Sequence, residues 1–120
     1  MAEPSCFYNP EGVLEWRLDG KLHRINGPAQ TYPDGSTKWF KHGVIHRVGG
    51  PAIEDANGHK VWYQNGHLHR EDGPAIEYIN GTFAWYIEGI EINPVLVRNK
   101  RDPRYARLME IRNVYEVITK

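Results

Sequence analysis

A fixed period of 23 residues runs through most of this 120-residue chain. Tryptophan recurs at that step, and two series of glycines keep it without an insertion. The members are Trp16, Trp39, Trp62 and Trp85; Gly12, Gly35, Gly58 and Gly81; and Gly20, Gly43, Gly66 and Gly89. Such self-similarity is typical of a small unit that buries its apolar face by stacking on copies of itself. The period therefore predicts four units, at about residues 6–28, 29–51, 52–74 and 75–97.

Each unit contains two dipeptides that favour a chain reversal. The first dipeptide ends in the first glycine series, as in Asn57-Gly58, and favours a two-residue hairpin turn with positive φ. The second, as in Asn65-Gly66, turns the chain again. The intervening segments are short and apolar at intervals, which indicates strands. The predicted fold is mainly β, an antiparallel sheet of tandem 23-residue hairpins in which the tryptophans form a ladder.

The C-terminal segment differs from the repeats. Residues 95–97 indicate a last strand, and the basic stretch that follows ends at Asp102-Pro103, a pair that suits the start of a helix. Apolar residues then recur at steps of three and four, which predicts a capping helix near residues 103–118. We expect one domain over 1–120, with hairpin repeats over 6–97 and a basic linker and helix over 98–120.

Charge and cysteine content narrow the possible environments. Fifteen basic and fifteen acidic residues balance, so no overall field steers the chain toward nucleic acid or a membrane. The single cysteine, Cys6, matches the register of Ala29, Ala52 and Ala75, so we expect a small buried side chain there. A lone cysteine favours a reducing compartment. With no signal peptide and no long apolar run, the chain is predicted to be soluble and cytoplasmic.

A polar motif, His-Arg-x-x-Gly-Pro-Ala, occurs at the three joints between consecutive units. We name these the first joint (His23–Ala29), the second joint (His46–Ala52) and the third joint (His69–Ala75). One hypothesis is structural, because His and Arg can bond backbone groups that are left unpaired between hairpins. The alternative is a row that binds a nucleotide or phosphate, and its residues are His23, Arg24, His46, Arg47, His69 and Arg70. Nearby acids, Glu54, Asp55, Glu71 and Asp72, are expected to pair with this row.

Catalytic and metal chemistry find little support in the sequence. His67 and His69, with His46 or His59, offer nitrogen donors, but equivalent residues one unit apart should lie about 9–10 Å from each other, too far to share an ion. Most histidines and carboxylates occupy repeated positions, whereas an active site is normally a unique constellation. We therefore predict no catalytic residue, no metal and no cofactor.

Protein binding is the function class that these features favour. Interface hot spots are enriched in Tyr, Trp and Arg, so the proposed anchors are tyrosines expected to be exposed on the sheet and arginines of the basic segment. They are Tyr63, Tyr86, Arg98, Arg101 and Arg104. Trp62 is expected to support folding instead, and nucleic acid is disfavoured because the basic segment lacks aromatic interleaving.

Two stretches, Gly43 to Gly66 and Gly66 to Gly89, resemble MORN-like repeats. The version with Leu-His-Arg-x-x-Gly-Pro-Ala and Asn-Gly-x-x-x-Trp-Tyr-x-x-Gly is similar to a variant found in bacterial and bacteriophage proteins, including antitoxin-like proteins. The resemblance covers about residues 6–93 and implies stacked hairpins that serve scaffolding, protein contact or lipid contact. The resulting prediction is a small inhibitor, antitoxin or phage counter-defence protein that occludes a protein target. The alternatives are a nucleotide-sequestering protein and a structural scaffold or virion component.

Overall fold

The computed structural model describes residues 3–92, and within them the chain is mainly β with antiparallel pairing and no helix. The proposed strand at 95–97, the helix at 103–118 and the residues Arg98, Arg101 and Arg104 lie outside the described range. The strands are β1 (Ser5–Tyr8), β2 (Leu14–Leu18), β3 (Lys21–Leu22), β4 (Gln30–Thr31), β5 (Thr37–Lys38), β6 (Phe40–Lys41), β7 (Val44–Ile45), β8 (Ile53–Glu54), β9 (Lys60–Val61), β10 (Tyr63–Gln64), β11 (His67–Leu68), β12 (Ile76–Glu77), β13 (Phe83–Ala84), β14 (Tyr86–Ile87) and β15 (Ile90–Glu91).

The strands form one large sheet and a series of small hairpins. The large sheet has nine strands in the order β1-β2-β4-β5-β8-β9-β12-β13, with β3 paired to β2. The pairs β6-β7, β10-β11 and β14-β15 form separate two-stranded sheets. All these pairs are antiparallel, and each connects segments that are near in sequence. The described chain is therefore rich in β-hairpins.

Each of three tryptophans lies where the chain passes from the large sheet into a small hairpin. Trp39 stands between β5 and β6, its N–H donates to the carbonyl of Ala52 at 2.8 Å, and its carbonyl accepts from the N–H of His46 at 3.1 Å. Trp62 and Trp85 hold the same place between β9 and β10 and between β13 and β14. The backbone of Trp39 and Trp62 thus joins two sets of hydrogen bonds, one through its N–H and one through its carbonyl.

The two-residue turn lies at the second glycine series, whereas the sequence predicted it at the first. At the first glycine series only the glycine has positive φ, and the bonds Gly35 N–H to Tyr32 O and Tyr32 N–H to Ser36 O close a loop wider than the predicted two-residue turn. Side-chain acceptors favour this wider loop, as where Asp34 Oδ1 accepts the N–H of Ser36 at 2.8 Å. The second series has positive φ at both central residues, as at Asn65 (52°) and Gly66 (83°), the geometry of a two-residue turn.

Small side chains fill the contact between consecutive units. Ala29, Ala52 and Ala75 are completely buried. Cys6, which shares their register, is exposed, so the expectation of a buried thiol is wrong. The reason is that, among the strands of residues 3–92, β1 pairs with β2 alone, whereas the segment at Ala52 is bonded on both sides, to Trp39 and to Val61.

Candidate functional site

The arginines of the joints are stacked on the tryptophans of the large sheet. Arg24 Cζ lies 4.2 Å from the ring centroid of Trp16, and the equivalent distances are 4.0 Å for Arg47 over Trp39 and 3.9 Å for Arg70 over Trp62. A guanidinium is planar and weakly hydrated, which suits the face of an indole. Each Nη1 also donates to the proline carbonyl of its joint, at 3.3, 2.9 and 3.1 Å in chain order. Stack and hydrogen bond together fix each side chain along the sheet.

The glycine of each joint leaves room for the stacked arginine. A Cβ added at Gly27 would lie 2.5 Å from Arg24 Cζ, and the same distance is 2.7 Å at Gly50 and at Gly73. These contacts are closer than van der Waals packing permits, and none of the three glycines has positive φ. The spacing Arg-x-x-Gly is therefore explained by space for the guanidinium rather than by backbone conformation.

The histidines of the joints hold the second turn of the following unit. The Nδ1 atom of His23 accepts the N–H of His42 at 2.8 Å, and His46 and His69 accept from Asn65 and Glu88 at 2.9 Å. All three donor residues are non-glycine residues with φ near +50°. That conformation costs roughly 1 kcal/mol for most residues, and a hydrogen bond of similar worth offsets it.

An accepting Nδ1 requires the neutral form of the imidazole, with the proton on Nε2. Burial lowers the pKa of His23, and the nearby His42 and Lys41 lower it further. Burial and Lys41 likewise lower the pKa of His46. In His23 and His46 these effects favour the neutral imidazole, the form in which Nδ1 accepts a backbone N–H of the next unit.

Carboxylates compensate the three arginines unequally. Arg70 Nε lies 2.9 Å from Asp72 Oδ1, and its Nη1 lies 3.1 Å from Glu77 Oε1. Arg47 has one carboxylate, Glu54, at 3.6 Å. Within residues 3–92, Arg24 has no carboxylate at ion-pair distance, and its Nε is buried without a hydrogen-bond partner.

The expected pairing of nearby acids with the row is thus realised only in part. Glu54 and Asp72 pair with the arginines, as predicted. Asp55 instead accepts the N–H groups of Asn57 and His59 in its own turn, and Glu71 lies 3.4 Å from His69 Nε2. Asp55 thus serves its own turn, and Glu71 lies beside the histidine of its joint.

The first two joints expose large apolar side chains beside these arginines. Ile25 is 77% exposed and Val48 is 72% exposed, whereas the equivalent residue of the third joint is Glu71. Ile25 and Arg24 line two open cavities of about 510 and 220 Å³; the first also includes Trp16, and the second also includes Lys41, Arg47 and Val48. We name the residues Arg24, Ile25, Lys41, Arg47 and Val48 the basic–apolar surface.

The predicted aromatic anchors do not project as expected. Tyr63 and Tyr86 are half-buried, and their carbonyls accept the backbone N–H of Arg47 and Arg70 at 3.0 and 3.2 Å. Burial raises the pKa of the Tyr86 hydroxyl, and Glu91 and nearby tyrosines add to the shift. Both tyrosines are therefore less exposed than expected, and their backbone carbonyls join consecutive units.

Sequence reasoning overlooked Ile25, Val48 and Lys41. A signal for the first two was present, since the positions between Arg and Gly in the joint motif are in turns, where an exposed Ile or Val has no local structural role. The arginine–tryptophan stack was missed as well. Its signal is a constant offset of eight residues from each tryptophan to the arginine of the same joint.

The described residues offer no assembled metal site. Within residues 3–92, no three His, Cys, Asp or Glu side chains lie close enough together to hold an ion. Two of the histidines that were considered as ligands have Nδ1 in other bonds, since His46 accepts from Asn65 and His59 accepts from the N–H of Ile79 at 3.1 Å.

Comparisons with protein-family models, with curated proteins and with solved structures give no match to this chain. Over residues 3–92, the structure contains no helix of the length and apolarity needed to cross a membrane.

Proposed function

We propose that this chain is a non-enzymatic, protein-binding repeat module of MORN-like architecture, built from tandem 23-residue hairpins and a C-terminal capping helix. In this proposal it is a small cytoplasmic inhibitor, antitoxin or phage counter-defence protein, and it acts by occluding a protein target. The observation that carries the proposal is the basic–apolar surface, on which Ile25 and Val48 are 77% and 72% exposed beside stacked arginines.

Two properties of that surface support binding to a protein. Arginine and aromatic side chains dominate interface hot spots, and here each arginine is already ordered on an indole, so little side-chain entropy remains to be lost on binding. The apolar side chains beside them add area that only a partner can remove from water. The histidines of the row do not compete for this role, because each holds a backbone N–H of the next unit.

Native mass spectrometry of the tagged protein, recovered from a host-cell lysate, tests the proposal. We expect a stoichiometric added protein mass with the unmodified chain, and its loss when Ile25→Ser and Val48→Ser are combined. Ile79→Ser is the matched control, because Ile79 is 64% exposed but lies in a turn outside the joints. Absence of any protein mass, or equal retention by the double variant, would contradict the proposal.

A second candidate, sequestering of a nucleotide or phosphate, is favoured by one observation. Arg24 carries a charge that no described carboxylate compensates, and arginine suits phosphate oxygens. A retained mass of a few hundred daltons, together with thermal stabilisation by ATP that Arg47→Ala or Arg24→Ala abolishes, would favour this candidate.

A third candidate is a structural scaffold or virion component. It is favoured by the edge strand β1, whose outer side is unpaired within residues 3–92 and whose Phe7 and Tyr8 are 50% and 72% exposed. Concentration-dependent self-assembly of the purified chain would favour it, and a monomer at high concentration would argue against it.

A further inference from the structure

We propose that the protein partner presents an acidic segment in which a carboxylate lies next to aliphatic side chains, and that this carboxylate binds Arg24 as Glu77 binds Arg70. The inference rests on the proposed protein-binding function and adds the chemistry of the partner to it. Its occupant is a protein segment seated on the basic–apolar surface of the first two joints.

The third joint shows how such a carboxylate is bound. There Arg70 is stacked on Trp62 at 3.9 Å and donates to the Pro74 carbonyl at 3.1 Å, while its Nη1 also reaches Glu77 at 3.1 Å. Arg24 has the same stack and the same proline contact. The first joint is therefore a copy of a carboxylate-binding arrangement without the carboxylate.

The acids that serve Arg70 are replaced by neutral residues at the first joint. In register with Glu77 on β12 stands Thr31 on β4, and in register with Asp72 stands Asn26. Neither replacement can balance the charge of Arg24. One acid, Glu3, lines the neighbouring cavity but lies beyond ion-pair distance of Arg24, and Lys41 adds a further positive charge to the surface.

Two buried donor atoms at the first joint lack an acceptor. Trp16 Nε1 and Arg24 Nε are both buried without a hydrogen-bond partner among residues 3–92, and both residues line the larger cavity. An unsatisfied buried donor destabilises the structure that contains it, and a new acceptor removes that cost. An incoming carboxylate at this place therefore gains more than it would from a fully hydrated lysine, because the guanidinium is half-buried and already oriented by its stack on Trp16.

The side chains around Arg24 select an aliphatic neighbour for that carboxylate. Ile25 and Val48 flank the guanidinium row and are mostly exposed. The third joint repels the same ligand, since it carries Glu71 at the equivalent position and Asp72 beside it. Charge and apolar surface together place an acidic–aliphatic segment on the first and second joints and exclude it from the third.

The test uses chemical-shift mapping of the ¹⁵N-labelled full chain with three probes. They are the capped peptide Leu-Asp-Leu-Glu-Leu, its neutral counterpart Leu-Asn-Leu-Gln-Leu, and inorganic phosphate. We expect shifts at the first and second joints with the acidic peptide, and binding about tenfold weaker with the neutral peptide, a ratio that corresponds to about 1.4 kcal/mol. Phosphate should bind more weakly than the acidic peptide and should not displace it.

Two variants separate carboxylate binding from a general charge effect. Thr31→Glu supplies Arg24 with a carboxylate at the position that Glu54 and Glu77 hold in the other units. We expect this variant to bind the acidic peptide about tenfold more weakly while the chain stays folded. Asn80→Asp adds the same charge at a distant turn and should leave binding within about twofold. Its aspartate restores the residue type of Asp34 in the equivalent turn.

Several results would overturn the inference. They are no shifts with the acidic peptide, shifts centred on the third joint, equal binding of both peptides, equal or tighter binding of phosphate, or unchanged binding by Thr31→Glu. The lysate experiment distinguishes a failure of this inference from a failure of the proposed function. A protein mass retained equally by the unmodified chain and by Thr31→Glu leaves the function standing and overturns this inference, whereas absence of any retained protein mass overturns the function itself.

Discussion

The first and third joints share a backbone arrangement but present opposite surfaces. In both, an arginine is stacked on a tryptophan, donates to a proline carbonyl and packs against a glycine. The first joint exposes Ile25 beside an uncompensated Arg24, while the third exposes Glu71 beside an Arg70 that two carboxylates bind. The repeated residues thus build the joint, while the two positions between Arg and Gly and the position seven residues after Arg determine what it offers to a partner.

The largest effect should come from the element that both joints share. We expect Trp16→Ala and Trp62→Ala each to lower the free energy of unfolding by about 3 kcal/mol, the lower end for tryptophan because both rings are only partly buried. Each change removes the platform of one arginine. Urea unfolding monitored by circular dichroism measures the loss, and a variant with unchanged stability would show that its stack is dispensable.

The arginines themselves should separate the joints. We expect Arg70→Met to cost about 2 kcal/mol, because it removes the stack and leaves Asp72 and Glu77 without their cation. Arg24→Met should cost less than about 1 kcal/mol, because it also removes a buried donor that finds no acceptor among residues 3–92. Urea unfolding of the two variants measures both losses. Equal losses would mean that the carboxylates present at Arg70 and absent at Arg24 have no energetic consequence.

Glycine substitutions should displace the arginines without removing them. Gly73→Ala places a methyl group 2.7 Å from Arg70 Cζ and forces the guanidinium away from both its stack and its carboxylates, at about 1 kcal/mol. Gly27→Ala should cost about half as much, because Arg24 breaks no ion pair when it moves. Thermal melts of the two variants, beside a Gly→Ala change at Gly50 as an intermediate case, would test this ranking.

Acidification should produce the smallest effect, and it acts on the first two joints. The pKa values of His23 and His46 are lowered in the folded chain, so as pH falls below about 6.5 the unfolded chain takes up these protons first. Stability is therefore complete above that pH and decreases toward the lowered folded pKa. Urea midpoints at pH 7.5 and 5.5 should show the loss.

Asparagine provides the control for the pH effect. In the combined variant His23→Asn and His46→Asn, Oδ1 can accept the same backbone N–H but does not titrate, so the difference between the two pH values should shrink. Glu15, whose pKa is lowered because hydrogen bonds from Gln30 and Arg17 outweigh its burial, contributes only at more acidic pH. An undiminished difference in the asparagine variant would assign the pH effect to other groups.

Much of the fold follows from local sequence. The mainly β class and the positions of the chain reversals follow from the spacing of glycines and apolar residues, which are short-range signals. The two-residue turn predicted at the first glycine series lies at the second instead, where a bond from Asn65 to His46, 19 residues away, stabilises a positive φ that Asn alone does not demand. The exposure of Cys6 depends on the absence of a neighbouring strand within the described residues, which register alone does not reveal.

The candidate site was less accessible to sequence reasoning than the fold. The sequence indicated the histidine and arginine positions. It did not reveal that each arginine stacks on an indole or that each histidine accepts a backbone N–H of the next unit, because both contacts join residues that lie eight or more positions apart in the sequence. Tyr63 and Tyr86 were expected to be exposed on the sheet, and the structure shows them half-buried, with backbone carbonyls that bond the arginine of the preceding joint. Ile25 and Val48, by contrast, were not considered as surface anchors, although apolar residues in a turn are normally exposed.

The bond from each joint histidine to the next second turn gives the array a direction. Every such turn from His42 onward is held from the preceding unit, and the holder needs a free imidazole nitrogen at the start of the joint. At the fourth such position stands Ile92, which offers no acceptor and is buried instead against Ile87 and Trp85. Ile92 therefore cannot hold the second turn of a further unit. An engineered chain with a fifth unit should need a histidine at residue 92 before any hairpin is appended.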